Sequence, residues 1–218
     1  MPAARAAVSV LAAACALVAA VAGCGAAPDR PAPSEGVASA GRAAPERLPP
    51  RPVPTGHGAA FRLPPRGARA ARALPIGGAV CRADVGPRVQ AHLELFARGR
   101  VVPVPPGIGI APPLRRDGAY VRAGRCSYPL RTTEPTGLIE LRPRRGATLG
   151  ELFAIWGQPL SRTRLGPFRA PAGQSVRAYL DGARWRADPR AIPLRRHAQV
   201  VLALGPPVPL HARYMFPR

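Results

Sequence analysis

The chain has no lysine and no asparagine; all 32 of its basic side chains are arginine. Acidic residues number 11 and are scattered, so nothing in the sequence suggests the paired carboxylates of a glycosidase. Aromatics are only 5% of residues, and none forms a base-stacking motif. There is no C-x-x-C, no G-x-S-x-G and no phosphate loop. Thioredoxin-like redox chemistry, α/β-hydrolase chemistry and nucleotide-triphosphate hydrolysis therefore lose their usual signatures.

What the chain has in excess is arginine, alanine, glycine and proline, with a formal net charge of +21. This is how a GC-rich coding sequence writes a protein, and the arginines are spread along the chain rather than gathered in one segment. The charge thus argues weakly for nucleic acid. Anionic envelope polymers or lipid head groups are the partners expected of it.

The first residues carry the parts of an export signal in order. Arg5 is basic, Ala6 through Val21 is apolar, and small residues precede Cys24. The apolar stretch is shorter than the roughly 20 residues that span a bilayer. Residues 1–23 read as a signal peptide. Val21-Ala22-Gly23-Cys24 resembles the lipobox of bacterial lipoproteins, which implies a diacylglycerol on the Cys24 thiol and cleavage before it. Two acyl chains hold a protein stably where one is marginal. The expected location is the extracytoplasmic face of the cell membrane. An uncleaved anchor, or a cleaved signal with an incidental cysteine, are the competing readings.

From Cys24 to residue 78 the chain reads as a disordered tether. Runs such as Leu48-Pro49-Pro50-Arg51-Pro52 and Leu63-Pro64-Pro65-Arg66 show no lasting period, so this segment offers little apolar surface to offset its ordering entropy. Proline makes it extended. Residues 79–218 read as one domain of ordinary size.

In that domain Val89–Phe96 alternates as a half-buried strand, and Arg98-Gly99 turns it back into Arg100–Val104. Gly118–Arg122, Cys126–Tyr128 and Leu138–Leu141 read as further short strands. Thr148-Leu149-Gly150-Glu151 has capping-box spacing; Leu149, Leu152, Phe153 and Trp156 then recur at helical spacing until Gly157. Asp181-Gly182 marks a second hairpin, and Ala198–Leu204 a last strand. The expected fold is α+β, a small mixed sheet with one packed helix. That order resembles the β-grasp (ubiquitin-like) arrangement, and another α+β roll would give the same string.

Cys81 and Cys126 are the cysteines left beyond the signal and lipobox. In an exported protein they are expected to form a disulfide; a redox or metal-binding thiol pair is the alternative. The bridge would close a loop of about 46 residues, worth up to about 4 kcal/mol in the chain-entropy account.

Three segments carry a further resemblance: Pro106-Gly107-Ile108-Gly109-Ile110, Cys126-Ser127-Tyr128-Pro129-Leu130, and Thr148-Leu149-Gly150 through Trp156-Gly157-Gln158-Pro159-Leu160. Over residues 79–205 the chain resembles a family of uncharacterised exported bacterial lipoprotein domains. The family's motifs are C-x-Y-x-L-H-T-H-D-x-x-G-x-I-H and T-L-G-x-x-F-x-x-W-G-Q-P-L, with a first strand often written H-x-H-x-H-L. The histidines imply a metal site, because side chains at i, i+2 and i+4 of a strand share one face.

This chain keeps the frame and loses the ligands. Arg131, Thr133 and Glu140 stand where the motif has histidine, Arg88 and Gln90 replace it on the first strand, and His92 remains. A guanidinium cannot ligate a metal ion. A remnant site would need His92, Glu134 and Glu140. His57, His197 and His211 have ordinary structural readings, and Ser127 and Ser161 lack an identifiable histidine partner for a hydrolase. No cofactor and no nucleic-acid partner is expected. The leading expectation is a non-enzymatic, lipid-anchored module that binds an envelope protein or anionic polymer; the alternative is a metal-binding or metal-delivery domain with a degenerate histidine site.

Overall fold

The computed structural model describes residues 63–206 and 214–217. The signal peptide, Cys24, the tether to residue 62, His57 and His211 lie outside the described residues. The chain divides into two units, Met1–Arg42 and Ala43–Arg218, and everything described belongs to the second.

The domain begins earlier than composition predicts. Residues 63–78, expected to belong to the tether, pack on the core, so the folded domain includes them and does not begin at 79. Leu63 lies against the core, and a one-turn helix, α1 (Ala68–Ala71), buries Ala70 completely. The Trp156 indole donates to the Pro64 carbonyl at 2.7 Å, and the Tyr128 hydroxyl donates to the Leu74 carbonyl at 2.6 Å. Gly67 meets Gly157 backbone to backbone; a Cβ on Gly157 would sit 2.6 Å from Gly67 Cα. Carbonyls and side-chain-free residues fix this segment, and neither leaves a hydrophobic period to read.

From there β1 (Val89–Ala97) turns at Arg98-Gly99, both at positive φ, into β2 (Arg100–Val101). Next come β3 (Ile110–Ala111), β4 (Arg115–Asp117), β5 (Tyr120–Ala123) and β6 (Cys126–Ser127). Strands β4 and β5 form an outlying hairpin, and β3 pairs with β6. Then β7 (Leu130–Arg131) and β8 (Leu138–Leu141) lead to helix α2 (Leu149–Trp156). A small three-stranded sheet, β9 (Leu160–Ser161), β10 (Arg164–Leu165) and β11 (Phe168–Arg169), precedes β12 (Arg177–Leu180) and β13 (Ala183–Trp185). The β12–β13 turn is Asp181-Gly182, at φ 52 and 82, the two left-handed residues a tight hairpin needs. A 3-10 turn at Pro189–Ala191 leads to β14 (Gln199–Leu204).

The main sheet runs β13-β12-β14-β1-β8-β7, with β2 added at the end of β1. Its central pair, β1 and β14, is parallel, and the other pairs are antiparallel. Leaving aside the two-residue strands β2 and β7, this is the strand order of a β-grasp sheet, with α2 in the crossover. The fold is α+β, a mixed sheet with one main helix.

Register sorts the faces. Leu93 pairs with Val200, Leu95 with Leu202 and Ala91 with Ile139, and all six are buried on one side. Helix α2 buries Leu149, Leu152, Phe153, Ile155 and Trp156 in the same core. The Thr148 hydroxyl accepts from the Glu151 N–H at 3.3 Å and the Glu151 carboxylate takes a backbone hydrogen bond from Thr148, so both arms of the expected capping box form; the carboxylate also pairs with Arg144. Gly157, at φ 75, closes the helix, and Gln158 N–H donates to Phe153 O. Cys81 and Cys126 are bonded, with Cα atoms 5.5 Å apart, which ties the entry segment to β6.

Candidate functional site

The other face of the sheet carries polar side chains beside Leu138, Val201 and Phe96. Strand alternation places Arg88, Gln90, His92 and Glu94 on it, and register sets Gln90 opposite Glu140, which is itself opposite Arg131. Of the positions where the family resemblance implies histidine, Gln90, Glu140 and Arg131 thus lie in one row across β1, β8 and β7, with Arg88 and His92 two residues either side of Gln90.

An ionic network fills that row. The Arg88 guanidinium, only 9% exposed, donates to Asp84 Oδ1 and to Ser127 Oγ, both at 2.8 Å, and to the Pro129 carbonyl at 3.3 Å. The Ser127 hydroxyl donates to Asp84 Oδ1 at 3.0 Å. Arg131 bridges the two carboxylates: its Nε donates to Glu140 Oε2 at 2.6 Å, and its Nη1 pairs with Asp84 Oδ2. The Thr133 hydroxyl donates to Glu140 Oε1 at 2.9 Å. Arg142 closes the far end by donating to the Ala83 carbonyl at 2.6 Å. Burial pulls the Arg88 guanidinium below its ordinary range while Glu140 opposes that pull. Arg142 is lowered by burial first and by Arg88, Arg131 and Arg82 after it.

His92, 5% exposed, lies beside this network. Its Nε2 is 3.0 Å from the Thr136 carbonyl and its Nδ1 is 3.9 Å from Glu94 Oε1. The C-terminal residues cover it: the Tyr214 ring stacks on the imidazole with centroids 3.7 Å apart, and Phe216 stacks on His197 at 4.6 Å. The Tyr214 N–H donates to the Gln199 side-chain oxygen at 2.6 Å. Burial raises the Tyr214 phenol above its usual value, with Thr136 lowering it and Glu134 raising it.

Of the three residues of the suggested remnant metal site, His92 and Glu134 meet on Thr136, one at its carbonyl and one at its hydroxyl, while Glu140 is held elsewhere. His92 faces Thr136 and Glu94, Glu134 accepts from the Thr136 hydroxyl at 2.5 Å, and Glu140 is held by Arg131 and Thr133. Among the described residues no group of three or more His, Cys, Asp or Glu side chains converges. Ser127 is 1% exposed and bonded to Arg88 and Asp84, with no imidazole to accept its proton in those contacts. The arrangement favours cohesion: cations and carboxylates satisfy one another, and Ser127 and Thr133 supply the remaining hydrogen bonds.

Asp84, Ser127 and Tyr214 belong to this face although sequence reading did not place them there. Asp84 carried a faint signal, since it stands four residues before Arg88 among few acids. Tyr214 carried none, because its docking depends on the chain's return over the sheet. Comparison of the chain with protein-family models, with curated proteins and with solved structures gave no match.

Proposed function

We propose that this protein is a lipid-anchored extracytoplasmic lipoprotein whose domain is a non-enzymatic binding module for an anionic envelope polymer. The anchor reading rests on Val21-Ala22-Gly23-Cys24 behind an apolar stretch. The binding reading rests on a single observation, the imbalance of exposed charge. Asp84, Asp117, Glu140, Glu151, Asp181 and Asp188 are all ion-paired to arginines. Arg115, Arg116, Arg125, Arg145, Arg186 and Arg196 are exposed and form no ion pair among the described residues. A surface of unpaired guanidiniums attracts polyanions and steers them over a Debye length, about 10 Å at 0.1 M salt. The occupied polar groups around Ser127 and His92 support a role without bond-making chemistry.

Two measurements test this. Feeding a palmitate analogue to cells should label the protein, and Cys24→Ser should abolish the label; label surviving that change removes the anchor. The full chain should be retained on an immobilised anionic envelope polymer at low ionic strength and released as salt rises. Absence of retention at low salt removes the binding reading.

A further inference from the structure

A small cleft opens at the edge of the main sheet, where β13 leaves the hairpin and the β9–β10 turn comes alongside. Its walls include Arg162, Ser175, Arg184, Trp185 and Arg186, and its volume is about 170 Å³. Arg162, Ser175, Arg184 and Arg186 are exposed, Trp185 is half-buried, and the adjoining Val176 and Pro189 are buried. Val176 N–H donates to the Arg162 carbonyl at 2.7 Å, which fixes the turn against the start of β12. The Trp185 indole donates to the Asp188 carbonyl at 3.1 Å, which fixes the opposite wall. The cleft is therefore built on hydrogen-bonded backbone on both sides.

Its charge is of one sign. Arg162, Arg184 and Arg186 border the same concavity, and no carboxylate lines it. The nearest acid in sequence, Asp188, has both carboxylate oxygens on Arg190, at 2.7 to 3.2 Å, and feels the charge of Arg162 only as its least contribution. Arg184 uses one nitrogen on the Ala178 carbonyl and lies over the Tyr179 ring at 5.2 Å, so its fork is oriented and keeps further donors. Arginines stand on both walls of the concavity, and a cleft bordered by one sign of charge focuses its field. Arginine's planar fork matches tetrahedral oxyanions bidentately. A tetrahedral phosphoryl group can turn its oxygens toward arginines on different walls, whereas a carboxylate keeps both oxygens in one plane. A volume of about 170 Å³, against roughly 30 Å³ for a water, admits a phosphoryl group with the first atoms of its alcohol, and Trp185 supplies an apolar wall for those carbons.

We propose that this cleft binds a phosphoryl group of a phosphate-linked polyol, and so is the specific contact of the polyanion-binding module. This inference rests on the binding reading given above. The test uses the full chain and its own fluorescence, because Trp156 is fully buried and Trp185 borders the cleft. The probes are poly(glycerol phosphate), polyglutamate and phosphatidylglycerol vesicles at low ionic strength. Poly(glycerol phosphate) should change the emission saturably. R162Q/R186Q should weaken that binding about tenfold or more, whereas R72Q/R82Q, the same charge loss at exposed positions outside the cleft, should weaken it less than about twofold.

Equal weakening by the two double variants overturns the cleft and leaves general polyanion binding standing. Polyglutamate bound as tightly, with the same dependence on Arg162 and Arg186, overturns the phosphoryl class. Binding of vesicles alone, with that dependence, upholds the phosphoryl site and assigns its source to a lipid head group. No binding to any probe removes both the cleft and the reading it rests on.

Discussion

Arg131 holds two carboxylates at once, with a side chain only 13% exposed, so its surroundings offer little water to replace either partner. Removing one member of such a set is costly because the remaining charge stays desolvated, whereas removing the whole set can be neutral. Glu140→Gln should destabilise the domain by about 2 kcal/mol, below the full buried-pair value because Glu140 is 19% exposed. Replacing Arg131 and Glu140 together by Met and Leu should cost less than the single change. Chemical denaturation of the three proteins checks this, and an E140Q midpoint equal to the parent's would show the network to be energetically slack. These residue types were visible in the sequence as substitutions in a histidine pattern. Their mutual pairing was not, because Asp84 reaches Arg131 only after the disulfide and the β7–β8 pairing bring distant segments together.

At the scale of elements, the parts the sequence made legible are those that local chemistry dictates. Helix α2 runs from its Thr148 cap to its Gly157 stop as the spacing predicts, and both tight hairpins sit on their left-handed residue pairs. Strands of two residues, such as β3, β7 and β9 to β11, leave no period to read; tertiary pairing alone defines them. Gly157 joins the two levels. Alanine there meets a left-handed φ of 75, worth about 1–2 kcal/mol, and also places its methyl against the Gly67 backbone. Gly157→Ala should therefore cost more than about 2 kcal/mol, and a loss under about 1 kcal/mol in thermal melts would show that residues 63–78 yield easily.

The 3-10 turn gives an acid-side prediction. Hydrogen bonds from the Arg190 side chain hold the Asp188 carboxyl below its ordinary value. A depressed carboxylate contributes stability that is present above the unfolded value near 3.9 and is lost as pH falls through the folded one. Asp188→Asn should lower stability at neutral pH and flatten its decline below about pH 4. Parallel melting curves with the same acid slope would count against this pairing.

At the scale of the whole molecule, the boundary that packing moves is the start of the folded domain. Composition draws the line at 79, because proline, alanine and arginine dominate up to that point. Packing draws it earlier, with residues 63–78 inside the domain, because Trp156 and Tyr128 satisfy their buried polar atoms on the Pro64 and Leu74 carbonyls, and Ala70 fills a place in the core. Without residues 63–78 the indole N–H and the phenol lose these partners, and each buried unsatisfied group costs about 1–3 kcal/mol. The apolar surface that Ala70 and Ile76 cover would open as well. A chain beginning at residue 63 should therefore melt cooperatively, while one beginning at 79 should lose several kcal/mol and bind a hydrophobic dye. Equal melting temperatures for the two would return residues 63–78 to the tether.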